Sequence, residues 1–341
     1  MKALQHDAGI LIYKAEGKKL SFLFLKRREG WLDITKGHIQ NGENRIRAAL
    51  REAKEESGLD VSGSIDPHFS YALYYSIKSN KGKGVGKELR VFIAEVNDGA
   101  KVKVSKEHAG YVWLSFDAAM KRINKGWQLK LLPYAYEYIQ RKIDMARLNA
   151  DYSKLPSKLG RWKLSKAFVP GEGPLNAKVM FVGQAPGAQE DAKRRPFIGR
   201  SGQLLSSLIK SSGMERKDVY ITSVVQFFPP ANRIPTDKEI LACRDFLYRQ
   251  IKIIKPRLVV LLGAVAAKEV LGVKGISSIH GKTVEKDGTL YFLSFHPAAA
   301  VRIKSNMPKI EADFKNLRDI IESMGIAKNS KSIDSKSIIN I

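Results

Sequence analysis

The chain has 341 residues, 44% of them hydrophobic, and carries a formal charge of +25 from 59 basic and 34 acidic side chains. It is too long for one ordinary core and suits two domains; with no run of about 18 apolar residues it excludes a helical membrane span. A single cysteine, Cys243, excludes an internal disulfide or thiolate cluster and fits a reducing compartment. Both halves are basic, so polyanions, nucleic acid first, are the expected partners. The opening MKALQHDAG has no apolar signal region, and a cytoplasmic location is expected.

In chain order, GILIYKA and LSFLFLKR read as strands joined by an EGKK turn. WLDITKGH then leads into GHIQNGENRIRAALREAKEESGL, Gly37 to Leu59. Ile46, Ala49, Leu50 and Ala53 give this stretch the apolar stripe of a helix, with Gly58 as its left-handed cap. Glu52, Glu55 and Glu56 stand at i, i+3 and i+4, on one helix face. Carboxylates that close repel, and a hard divalent ion with oxygen ligands would relieve them. A solvated helix of Glu and Lys is the alternative that composition alone allows. HFSYALYYSI, the basic loop KSNKGKGVGK, the strand ELRVFIAEV, and VWLSFDAAMKRI before a closing helix through about Ile139 complete a mixed sheet with a helix packed on it. RKIDMARLNADYSKLP is polar and turn-rich and reads as a linker.

The second half shows AKVMFVGQ, DVYITSVVQF, PRLVVLLG and TLYFLSFHP, apolar runs each followed by a polar loop and helix, as in a parallel sheet covered on both faces. Ligands of such sheets bind at the carboxyl ends of the strands. GQAPG, the segment after Val225 and HPAAAVR are the loops expected there.

The spacing from Gly37 through Glu43, Arg51-Glu52 and Glu55-Glu56 to Gly58-Leu59 resembles the Nudix box at every fixed position. That resemblance implies hydrolysis of a phosphoanhydride linked to a nucleoside by metal-activated water. It makes Glu52, Glu55 and Glu56 metal ligands, with the Lys36 carbonyl beside them. Either Glu55 or Glu56 would help take the water's proton, and Arg51 with Glu43 would form a supporting ion pair. TKGHIQNGE, the basic loop after a tyrosine strand, and SKEHAGYVWL are similar to the asymmetrical diadenosine tetraphosphate hydrolases. The subgroup adds Glu107 as an acidic ligand, with Lys36 and His38 near the phosphates; Tyr75 and Tyr111 are candidate rings to stack on adenine, with ordinary sheet packing as the alternative for each. Lys78, Lys81, Lys83 and Lys87 are expected either to contact the phosphate chain or to stay solvated, and Thr35 stands where relatives commonly have proline.

VMFVGQAPGAQEDAKRRPFIGRSGQLL, VVQFFPPANRIPT, LVVLLGAVAAKEVLG and FHPAAAVR together resemble the uracil-DNA glycosylase superfamily, nearest its family-four members. The implied chemistry is cleavage of the N-glycosidic bond of a flipped base. By position Phe197 would stack on uracil and His296 donate toward its O2. Gly183 and Gln184 would belong to the water-holding loop, and Arg302 to the segment that enters the DNA. Gln184 stands where glutamate is usual, and Ser223 where an asparagine reads the uracil edge. Of four cysteines that hold an iron-sulfur cluster in the family, Cys243 alone remains, with Phe227 at another position. No cluster is therefore expected, and Phe227 and Phe228 are available to hold the loop by packing.

The expectation is an α/β chain of two domains. Residues 1–145 form a Nudix mixed-sheet α/β/α sandwich, 146–158 a linker, 159–323 a glycosylase-like parallel-sheet α/β/α domain, and 324–341 a basic flexible tail. Expected ligands are Mg²⁺ or Mn²⁺, a nucleoside polyphosphate, and single- or double-stranded DNA with a flipped base. Two alternatives for the second domain stay open: a non-catalytic DNA-binding module, or excision of another deaminated base such as hypoxanthine.

Overall fold

A computed structural model describes residues 5–78, 84–158, 164–326 and 338–339. Contacts divide the chain into two units, Met1–Ile143 with Lys331–Ile341, and Asp144–Ser330. None of the described helices is long and apolar enough to cross a membrane.

In the first unit the strands are β1 (Gln5–Glu16), β2 (Lys19–Arg27), β3 (Leu32–Asp33), β4 (Thr35–His38), β5 (Tyr71–Lys78), β6 (Gly84–Glu95) and β7 (His108–Ser115). They form one mixed sheet, in which β1 runs antiparallel to β2 and β4 and parallel to β6, while β7 pairs with β2. Alternate residues of the strands face opposite ways. Ile10, Ile12, Leu23 and Leu25 therefore share a core with Ala48, Ala49 and Ala53 of helix α1 (Arg45–Ser57). Asn44 caps that helix by accepting the Arg47 N–H, and Gly58 ends it at φ 73°. The buried stripe differs from the expected one: Ile46 is 39% exposed, and the small alanines carry the packing. Helices α2 (Phe116–Arg122) and α3 (Gly126–Ser153) follow, with Tyr136 of α3 against Phe22 at 6.5 Å and Tyr138 against Phe69 at 5.0 Å.

The segment expected as a linker is helical instead. It continues α3 to Ser153 and then forms the turn α4 (Leu155–Lys158). Met145, Leu148 and Tyr152 recur at helical spacing within its polar composition and are buried in the second unit's core. Of the expected tail, residues 327–337, 340 and 341 lie outside the described residues, and Ile338–Ile339 pair parallel to β5.

The second unit contains β8 (Val179–Gly183), β9 (Tyr220–Ser223), β10 (Leu258–Leu262), β11 (Thr283–Lys286) and β12 (Thr289–Ser294) in the order β11-β12-β10-β8-β9. The four apolar runs read from sequence are β8, β9, β10 and β12, and they are mutually parallel. The edge strand β11 is antiparallel and exposed at all four residues, so no apolar run announced it. The helices are α5 (Ala188–Lys193), α6 (Arg200–Ser211), α7 (Asp237–Ile254), α8 (Ala264–Leu271), α9 (Pro297–Arg302) and α10 (Met307–Ser323). Val179, Phe181, Leu258 and Val260 pack with α6 and α10 on one face. Met180, Val182, Val259 and Leu261 pack with α7 on the other. Both faces are covered, which leaves the carboxyl ends of the strands as the place for a ligand.

Candidate functional site

At the first unit's box, the loop and helix are joined by Arg51. Its Nε and Nη2 donate to the two Glu43 oxygens at 2.8 and 3.1 Å, and Nη2 also donates to the His38 carbonyl at 2.9 Å. The fork of a guanidinium suits this bidentate task. Nη1 reaches Glu52 at 2.7 Å and Glu55 at 3.1 Å. Glu56 is buried, accepts the Lys36 N–H at 2.9 Å, and lies 3.5 Å from Arg27 Nη2. Burial, offset in part by Lys36 and Arg27, pushes its carboxyl up to about 7.

The expected crowding of carboxylates is thus relieved by two arginines. Among the described residues no three His, Cys, Asp or Glu side chains converge on one point. Arg51 draws Glu52 and Glu55 to itself while Glu56 turns to Lys36. The donors nevertheless fit a hard divalent ion, being all oxygen and set on one helix turn and its adjoining strand. Gly37 supplies the room: a Cβ there would stand 2.1 Å from Glu52 Cδ.

Arg27 also reaches Glu107 at 3.4 Å and approaches the buried Asp33 at 3.6 Å, so it ties the added acidic residue to the box. Sequence reading missed Arg27, Asp33 and His108, whose Nε2 is 3.7 Å from Glu56; charged residues ending apolar strands were the available signal. His38 Nδ1 lies 2.7 Å from Asp7, and Lys87 Nζ donates to the same carboxylate at 3.1 Å. Tyr111 is 42% exposed, which leaves its ring unburied by the sheet. Lys81, Lys83 and the side chains of Tyr75 and Lys78 lie outside the described residues.

In the second unit a cleft of about 280 Å³ opens at the carboxyl ends of the strands, and Gln184, Phe197, Ser223, His296 and Arg302 all line it. Gly183, at the end of β8, lies under the Phe197 ring: a Cβ there would be 2.3 Å from Phe197 Cζ and 3.5 Å from His296 Nε2. The Phe197 and His296 rings stack at 5.7 Å and 29°. His296 Nδ1 accepts the Ala298 N–H at 3.1 Å, which places the neutral ring's proton on Nε2. That Nε2 is shielded from solvent and has no hydrogen-bond partner among the described residues. Burial, then the Arg302 charge, push the imidazole down to about 4.

HPAAAVR, expected as a loop, forms the short helix α9, with Pro297 at its first turn. The sequence reading also missed Glu190. This buried carboxylate accepts N–H groups from Gly187 at 3.1 Å, Ile198 at 2.8 Å and Gly199 at 2.7 Å, closing the loop that carries Phe197. A glutamate three residues past the helix N-cap was the signal available.

Around Cys243 and Phe227, the two positions at which the resemblance implies cluster ligands, the described residues include aromatic rings. Tyr152 stacks on Phe246 at 3.9 Å and meets Phe227 edge-on at 5.2 Å and Phe168 at 5.4 Å. Burial pushes the Cys243 thiol up to about 12, and as the single cysteine of the chain it has no second thiol with which to hold a cluster. The donors do not fit an iron-sulfur cluster. Phe227 packs as expected, whereas Phe228 contributes its carbonyl, accepting the Ser165 N–H at 2.9 Å. Phe227→Ala is expected to destabilise the second unit by about 3–5 kcal/mol, read by denaturant unfolding; a change under about 1 kcal/mol would show that the rings do not hold the loop.

A family model described as the NUDIX domain matches residues 3–135, and one described as the uracil DNA glycosylase superfamily matches residues 170–324. A type-4 uracil-DNA glycosylase of Sulfurisphaera tokodaii is 43% identical over 171 residues, 47% of this chain and 77% of that protein. One from Saccharolobus solfataricus is 37% identical over 194 residues, 54% of this chain and 90% of that protein. The asymmetrical bis(5'-nucleosyl)-tetraphosphatase of Mus musculus is 34% identical over 113 residues, 32% of this chain and 74% of that protein. The chain therefore belongs to two enzyme families in succession, as a Nudix hydrolase over its first part and a member of the uracil-DNA glycosylase superfamily, beside the type-4 enzymes, over its second.

Proposed function

We propose that the first unit hydrolyses diadenosine tetraphosphate or a related nucleoside polyphosphate with Mg²⁺ or Mn²⁺, and that the second excises uracil from DNA without a metal. In the first, Glu52, Glu55, Glu56, Glu107 and the Lys36 carbonyl would hold the ion. A divalent ion bound there supplies an activated water and neutralises charge on the phosphates. Arg51 and Glu43 keep loop and helix in register, and Glu55 or Glu56 takes the water's proton at a carboxylate oxygen. Lys36 and His38 meet the phosphates, and Tyr75 and Tyr111 offer rings to adenine. The observation that carries this reading is the Arg51 fork on Glu43 and the His38 carbonyl. Product analysis tests it: the asymmetric cut gives ATP and AMP, and two ADP would refute it.

In the second unit, Phe197 stacks on the flipped base while His296 Nε2–H donates to O2 as negative charge gathers there. A neutral donor already in place needs no reorganisation when the bond breaks. Gln184 holds the water that completes hydrolysis, and Arg302 enters the DNA. The shielded, unpartnered Nε2 beside the Phe197 ring carries this reading. A uracil-containing oligonucleotide treated with the protein and then with alkali should break at the uracil. Salt-sensitive binding without breakage would instead make this unit a DNA-binding module. Ser223 is buried at the cleft and too short for the paired bonds an amide makes. A parallel oligonucleotide with hypoxanthine reads the selectivity that serine sets.

A further inference from the structure

The Phe197 ring sits in a backbone that needs holding. Its φ is 51°, in the left-handed region that a bulky side chain rarely adopts. Its two neighbouring carbonyls turn toward one guanidinium. Arg216 Nη2 donates to the Pro196 carbonyl at 2.6 Å, and Nη1 to the Phe197 carbonyl at 3.0 Å. The same guanidinium lies 3.4 Å, through Nε and Nη2, from Glu172 Oε1. Glu172 is itself anchored: its backbone exchanges hydrogen bonds of 2.9 and 2.8 Å with Ile221 of β9, and Arg195 grips its carboxylate at 2.8 and 3.0 Å. Contacts thus run unbroken from the sheet to the Phe197 backbone. The ring has little slack, with Gly183 beneath it and His296 beside it.

We infer that Arg216 is a positioning residue for base excision, fixing the Phe197 ring through the Pro196 and Phe197 carbonyls while touching no base itself. The effect on rate rests on the excision reading; the hold on the ring does not. Only a planar fork meets two carbonyls and a carboxylate together, and the point charge of lysine does not replace it. A stacking ring displaced by a fraction of an ångström misaligns the base with the His296 donor.

Arg216→Lys and Arg216→Ala are compared with the wild type as full-length chains, with folding checked by circular dichroism. Each is assayed on a uracil-containing oligonucleotide and also prepared with 4-fluorophenylalanine. Among the signals of the 14 phenylalanines, the one lost in Phe197→Leu reports that ring. In both variants kcat is expected to fall about tenfold to a hundredfold with KM little changed, and the Phe197 signal to shift or broaden. Guanidinium ions are expected to restore part of the Arg216→Ala rate. An unmoved Phe197 signal, a kcat within about twofold of wild type, or a loss carried by KM alone overturns the inference. If Arg216→Ala does not fold, the lysine variant decides by the same readings. If the wild type itself releases no uracil, the excision reading fails, and the fluorine signal alone decides whether Arg216 holds the ring.

Discussion

His296→Leu is expected to lower uracil release by about 10²- to 10³-fold, the usual cost of deleting one preorganised donor at a developing oxyanion. Leucine keeps an apolar body in the cleft while removing the Nε2–H, together with the Nδ1 acceptor of the Ala298 N–H. The loss should fall on kcat, because the donor acts most strongly as charge appears. The pH dependence follows from the same environment. The imidazole titrates near 4 in the fold and near about 6.5 in the unfolded chain. Its folded value is the lower one, so on acidification the unfolded chain takes up the proton first. Stability contributed by this site is therefore complete above about pH 6.5 and falls as pH drops toward about 4. The neutral donor persists through the same window. The His296-dependent part of the excision rate should thus stay level from about pH 8 to about pH 5. A rate that drops with an apparent pKa near 6.5 would contradict the assignment, as would a leucine variant of wild-type rate.

Glu56→Gln is expected to lower hydrolysis of diadenosine tetraphosphate by about 10²- to 10⁴-fold at saturating Mg²⁺, with base release by the same preparation unchanged. Glutamine keeps the volume and can still accept the Lys36 N–H, so the loss isolates the carboxylate's charge. Glu55→Gln, at the more exposed neighbour, serves as the comparison that assigns the proton acceptor. Full activity in both variants would remove Glu55 and Glu56 from the reaction. If both lose activity equally, the double variant decides: a combined loss smaller than the product of the two single losses would mark the pair as one coupled site.

The legible parts of this molecule were those where sequence period and local chemistry agree. The four parallel strands of the second unit were visible as largely apolar runs, because both of their faces are buried. Helix α1 was visible through its stripe and its Gly58 cap, although the face buried is that of Ala48, Ala49 and Ala53 rather than Ile46. Position by position, the family motifs also placed Phe197, His296, Ser223 and Arg302 around one cleft. What stayed hidden depends on partners distant in sequence. Arg27 joins Glu56 and Glu107 from the charged end of an otherwise apolar strand, and these partners lie 29 and 80 residues away in sequence. Arg216 reaches back to Pro196 and Phe197 from a turn with no motif of its own. Polar residues around Leu148 and Tyr152 disguised a buried helical stripe as a linker.

Both activities can be followed in one preparation of the intact chain, given diadenosine tetraphosphate and a uracil-containing oligonucleotide together, first with Mg²⁺ and then with excess EDTA. Dinucleotide cleavage should stop on chelation and return with Mg²⁺, while alkali-labile sites in the oligonucleotide keep forming at the same rate. Cleavage of the dinucleotide that survives chelation, or base release that stops with it, would contradict the separation of one metal-dependent and one metal-free chemistry on which the account stands.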